Sequence, residues 1–92
     1  MKDAFKALSD PTRRAILDLL RKRSHTSGEI AEHFGSSWPT ISRHLGILKD
    51  AGLIRVERDG QFMRYELHTT VFQDVAEQVA AWLNTSPKKK NA

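Results

Sequence analysis

The stretch SGEIAEHFGSSWPTISRHLG, residues 27–46, decides the fold, because its small and apolar residues fall where two short crossing helices need them. Ile30 and Phe34 stand four apart on one helical face, and Ala31 is small enough to sit where a second helix crosses closely. Gly35 ends this helix, as a residue in the left-handed region does. Beyond the turn, Ser37 is placed to cap a second helix, and Pro39 is tolerated in its first turn, where backbone N–H groups have no helical partner. Ile41, Leu45 and Leu48 recur at i, i+4 and i+7 and face inward, which leaves Pro39, Thr40, Arg43 and Gly46 outward with Ser42 at the margin. A short, polar, singly basic outer face is what a helix entering a DNA groove requires. An ordinary helical hairpin would share the apolar spacing, but seldom the alanine, glycine and cap residues at these offsets.

Working toward the C-terminus, the second helix is expected to stop near Ala51, with Gly52 just past its end. LIRVER (53–58) and QFMRYEL (61–67) are alternating runs separated by Asp59-Gly60, a dipeptide favoured in two-residue type I′ turns. Counting back from that turn pairs Arg58 with Gln61, Val56 with Met63 and Ile54 with Tyr65, and gives an inner face of Ile54, Val56, Met63, Tyr65 and Leu67. The same register sets Arg55 opposite Arg64, which is unfavourable unless diagonal Glu57 and Glu66, or an external anion such as a phosphate backbone, neutralise the pair. Arg55 and Arg64 are thus either solvated ion-pair partners or DNA contacts, whereas Arg58 and Gln61 at the tip are read as DNA contacts.

Toward the N-terminus, Ala4, Phe5 and Leu8 give a short first helix an apolar edge before SDP interrupts it. Asp10 can cap the next helix with Pro11 at its first position, and Ala15, Ile16, Leu19 and Leu20 form its expected buried stripe. Arg21, Lys22 and Arg23 in the last turn complement the helix dipole and are read as structural before they are read as DNA contacts. The last helix is expected from a Thr69-Thr70 cap to about Asn84. Its stripe of Phe72, Val75, Ala76, Val79, Trp82 and Leu83 is wider than one packing seam needs, which points to a homodimer interface. Residues 1–85 are therefore one domain, and SPKKKNA (86–92), with no large apolar side chain, is expected as a disordered basic tail whose lysines graze phosphates or do nothing.

A chain of 92 residues buries only about 60–65% of its unfolded surface, so a lone subunit is marginal and dimerisation would help. It contains no cysteine, which removes disulfides, thiolate metal sites and a cysteine nucleophile, and suits a reducing cytoplasm. No apolar run has the length of a membrane span, and MKDAFKALSD does not read as a signal peptide, so a cytoplasmic chain without membrane insertion is expected. The net charge of +4 suits a phosphate-binding surface without demanding one. There is no glycine-rich phosphate loop, no nucleophile elbow and no inward pair of carboxylates, so no enzyme is expected. Glu29 and His33 are four apart, simply a surface helical pair.

FKALSDPTRRAILDLL (5–20), SSWPTISRHLGILKDAGLI (36–54) and GQFMRYEL (60–67) resemble the ArsR/SmtB family of bacterial winged-helix repressors over residues 3–84, and within it the metal-free autorepressors. The resemblance implies a mainly α fold with a small β-hairpin, a winged helix-turn-helix in the order α-α-α-α-β-β-α. It also implies a homodimer joined through the first and last helices, so that Phe5 and Leu8 join Phe72, Val75, Val79, Trp82 and Leu83. Two recognition helices would enter successive major grooves of an inverted-repeat operator, the wings would reach flanking DNA, and a partner protein would release the dimer. On this reading Ser36, Ser37, Pro39, Thr40, Ser42, Arg43 and His44 join the wing residues as DNA contacts. Metal-sensing members carry two cysteines where this chain has EIAEHF (29–34); others use histidine on the last helix, where VFQDVAEQVAAWLN (71–84) has Asp74 and Glu77 but none. His25, His33, His44 and His68 are scattered, so no metal or other cofactor is expected. His44 lies in the family's SRHL motif and stands either near phosphate or as a packing residue. Trp38 replaces a small or polar residue, and either lids the core beside Ile41, the reading adopted here, or touches deoxyribose. A winged helix serving only protein contact would instead show an acidic or apolar outer face in place of Thr40, Ser42 and Arg43.

Overall fold

In the computed structural model, which describes residues 3–84, the elements run α1 (Ala4–Ala7), α2 (Pro11–Lys22), β1 (His25–Thr26), α3 (Ser27–Phe34), α4 (Trp38–Asp50), β2 (Ile54–Asp59), β3 (Phe62–Leu67) and α5 (Thr69–Asn84). This is the expected mainly helical winged architecture with one strand added. β1 pairs antiparallel with β3 and makes a three-stranded sheet of order β1-β3-β2. Two residues are too few for an alternation to be legible, and β1 is a strand only because β3 offers it distant backbone partners.

Asp10 begins α2 as its position suggests. Its Oδ2 accepts the Arg13 N–H at 3.0 Å, with Pro11 in the first helical position. The buried stripe differs from the expected one: Ile16, Leu17 and Leu20 are buried, Leu19 is half-buried and Ala15 is exposed. The stripe is rotated because α2 is covered both by β3 and by α4. Arg13 is also buried, and its guanidinium donates from Nε to the Ala7 carbonyl at 2.7 Å and from Nη2 to the Lys6 carbonyl at 3.2 Å. Arg14 donates to the Leu8 carbonyl at 2.7 Å. These arginines tie α2 to carbonyls at the end of α1, of which that of Lys6 also accepts the Ser9 N–H and hydroxyl.

Ile16, Ile30, Ile41, Leu45, Leu48 and Leu53 form the fully buried centre of the core. Gly52, at φ 79°, turns the chain from α4 into β2. The wing departs from the expected register by two residues: Asp59 pairs with Phe62, Arg58 with Met63, Val56 with Tyr65 and Ile54 with Leu67. Gly60 and Gln61 are therefore the central turn residues. Only Gly60 has a positive φ, 65°, which matches a turn with glycine first, whereas type I′ would need positive φ at both. A two-residue shift preserves each side chain's face but changes its partner, so Arg55 stands opposite Glu66 and Arg64 opposite Glu57, and the expected arginine pair does not form.

α5 buries only Val75 fully; Phe72 and Val79 are half-buried, and Trp82 and Leu83 are each 71% exposed. No helix among the described residues is long and apolar enough to cross a membrane. The basic tail expected at residues 86–92 lies outside the described residues.

Candidate nucleic-acid interface

The helix pair is fixed at both ends by local chemistry. Thr26 and Glu29 form a reciprocal cap on α3: the Thr26 hydroxyl accepts the Glu29 N–H at 3.2 Å, and the Glu29 carboxylate accepts the Thr26 N–H at 2.9 Å. That backbone bond is the largest cause holding the Glu29 carboxyl below its ordinary pKa, with Arg23, His25 and Arg64 adding to it. The signature T-x-x-E at 26–29 begins one residue upstream of the stretch 27–46 and is the local signal for this cap. Gly35, at φ 62°, ends α3 as expected.

Ser37 occupies the N-cap position of α4 but donates nothing to that cap and accepts no backbone N–H there. Its hydroxyl instead lies 3.0 Å from the Thr40 hydroxyl, so the expected cap becomes a pair of hydroxyls bonded to each other at the mouth of the helix. Pro39, Thr40, Ser42, Arg43 and Gly46 are all exposed, while Ile41, Leu45 and Leu48 hold the core from the same helix. Ser36 is half-buried in the turn.

His44 does not join that outer face. Its side chain is only 13% exposed, with Nδ1 3.4 Å from Arg13 Nη1 and 4.0 Å from Asp10 Oδ2. The ring thus lies between the Arg13 guanidinium and the Asp10 carboxylate. His44 therefore packs between α4 and the start of α2, as one of its two expected roles requires. His25 is likewise enclosed, its Nδ1 donating to the Arg23 carbonyl at 2.9 Å. Trp38 differs from the reading adopted for it: at the first residue of α4 it lies past the end of the core and is 47% exposed.

On the wing, Arg55 pairs with Glu66 at 2.9 Å, and Arg64 pairs with Asp59 at 3.0 Å while reaching the Ser24 hydroxyl at 3.4 Å. Arg58 and Gln61 are exposed. Among the described residues neither Arg43 nor Arg58 has an ion-pair partner. The arginines suspected of facing phosphate thus divide into two already neutralised by the fold and two that are not.

α2 and α5 border an open apolar groove of about 420 Å³ that touches Leu8, Leu17, Phe72, Val79 and Leu83. Phe5 and Trp82 meet with ring centroids 5.8 Å apart. Val75, expected at a dimer interface, is spent largely in its own subunit at 3% exposure.

A helix-turn-helix domain model matches residues 8–57. The chain is 54% identical over 84 residues to the transcriptional repressor SdpR of Bacillus subtilis, covering 91% of this chain and 93% of that one. A crystal structure of a possible transcriptional regulator for arsenical resistance superposes with TM-score 0.84 at 27% identity, over 99% of this chain and 93% of the other. The homodimeric winged helix-turn-helix DNA-binding domain of a possible ArsR-family regulator from Mycobacterium bovis is similar at TM-score 0.70 and 29% identity, over 90% and 81%. With the capped helix pair, the polar outer face of α4 and the sheet wing in place, the chain belongs to the ArsR family of winged helix-turn-helix, DNA-binding transcriptional repressors.

Proposed function

We propose that two copies of this chain bind an inverted-repeat DNA operator in the cytoplasm, each inserting α4 into a major groove and laying its wing on flanking DNA, without a metal ion. The observation that carries this reading is the division of α4: Thr40, Ser42 and Arg43 are exposed while Ile41, Leu45 and Leu48 are buried, so the outer residues take no part in the core. A C2 dimer presents two identical helices, so the operator carries two half-sites about one helical turn apart. The apolar outer surface of α5 and the Phe5–Trp82 contact support α1 and α5 as the joining elements. The chain has no cysteine to offer a metal, and release falls to a partner protein in this reading. Selection of bound fragments from random DNA, followed by affinity measurements at several salt concentrations with and without chelator, tests it. An inverted repeat and chelator-independent affinity are expected; a single unrepeated site, or tight zinc binding that alters affinity, would count against it.

A further inference from the structure

We propose that Trp38 is an apolar DNA contact that packs its exposed edge against a deoxyribose on the wall of the major groove, adding affinity without adding sequence preference. The proposal rests on the DNA-binding orientation of α4 given above. Trp38 is the first residue of α4 and is 47% exposed, an unusual place to leave an indole in water.

At about 100° per residue, Trp38 falls in line with Ile41 and Leu45, yet those two are buried and it is not. The difference is axial: the core ends at the second turn of the helix, and the indole extends beyond it. Helical side chains tilt toward the N-terminus, and the N-terminal end of a recognition helix is the end that meets DNA.

The same geometry decides which part of DNA it meets. Pro39, Thr40, Arg43 and Gly46 surround the centre of the outer face, and Trp38 stands about 130° from that centre, past Ser42 at about 40° from it, so from the end of the helix the indole is turned away from the base edges and toward the side of the groove. A helix centred in the groove points its middle at base edges and its flank at the sugar-phosphate wall. An indole offers that wall a flat apolar surface and a single N–H donor, which suits sugar and carries no base code.

The test compares wild type with Trp38→Ala, Trp38→Gln and Trp38→Phe on the selected operator, on single-base operator variants and on an operator with uracil for thymine, across several salt concentrations. Thermal unfolding and sedimentation establish that each variant is folded and assembled; Trp38→Gln serves should the alanine variant fail to fold. Trp38→Ala and Trp38→Gln should weaken every sequence by the same factor, about tenfold for loss of part of a buried aromatic surface, and Trp38→Phe should retain most of the affinity. The salt slope should not change, because no phosphate charge is left unneutralised. Unchanged affinity, a loss confined to one base position, a loss abolished by uracil, or a flatter salt slope would each overturn the proposal. If wild type selects no operator at all, the DNA-binding orientation itself falls, and with it this contact.

Discussion

Four arginines suggested by the sequence as DNA contacts separate in the structure by partner, Arg55 and Arg64 holding carboxylates and Arg43 and Arg58 holding none among the described residues. Arg43→Ala is expected to relax preference at one base position in each half-site, since a bidentate arginine contact supplies about 1–3 kcal/mol of discrimination. Arg58→Ala should instead weaken all sequences alike and reduce the salt slope by about one. Arg55→Ala should do little to either, because its charge already meets Glu66 at 2.9 Å. Binding to a panel of operator variants at several salt concentrations separates the three outcomes. Helical periodicity alone was enough to set Arg43 outward and Ile41 inward. It could not place His44, whose environment is made by Arg13, thirty-one residues earlier in the chain, nor Trp38, whose exposure depends on where the core stops along the helix axis.

At the scale of elements, α3 owes its start to a local device. Thr26→Ala should destabilise the fold by about 1 kcal/mol, as loss of a threonine N-cap does, measured by denaturant unfolding. The Glu29 half of the same device gives stability a pH dependence. Its carboxyl is held below the 4.5 of an ordinary glutamate, first by the Thr26 N–H. A depressed carboxylate contributes stability that is complete above the unfolded value and is lost as pH falls through the folded one. The stability gap between wild type and Glu29→Gln should therefore be constant near neutrality and narrow below pH 4.5; a gap that widened on acidification would contradict the assignment. Long amphipathic helices were legible because their period repeats over several turns. The hairpin's existence and its faces were legible too, but not its register, because Asp59-Gly60 and Gly60-Gln61 are both acceptable turn centres and only the backbone of Asp59, which keeps φ negative, decides between them. β1 left no local signal, being defined wholly by its partner.

For the whole molecule, the decisive property is how much of α5 its own subunit leaves uncovered. Val79→Asp combined with Trp82→Ala should convert a dimer into monomer or unfolded chain by sedimentation, and operator affinity should fall with it, since each half-site helix then binds alone. A folded dimer in that double variant would place the interface elsewhere. The surplus apolar width of the last helix was legible in the sequence. That Val75 belongs to the subunit's own core was not, because a helical wheel shows which residues share a face and not how far the neighbouring elements extend along it.

α1 has only four residues, too few to persist as a helix alone, and buried Arg13 holds its final carbonyls. In a cell carrying both a wild-type and a mutant copy of the gene, this distinguishes two kinds of repression-defective allele. On the proposed dimer, a chain altered at Arg43 should still assemble, enter mixed dimers and leave each with one blind half, so the allele is expected to be dominant. A chain altered at Arg13 should lose the anchorage of α1, fail to join wild-type partners and leave them to work in pairs of their own, so that allele is expected to be recessive although the residue is buried in the fold.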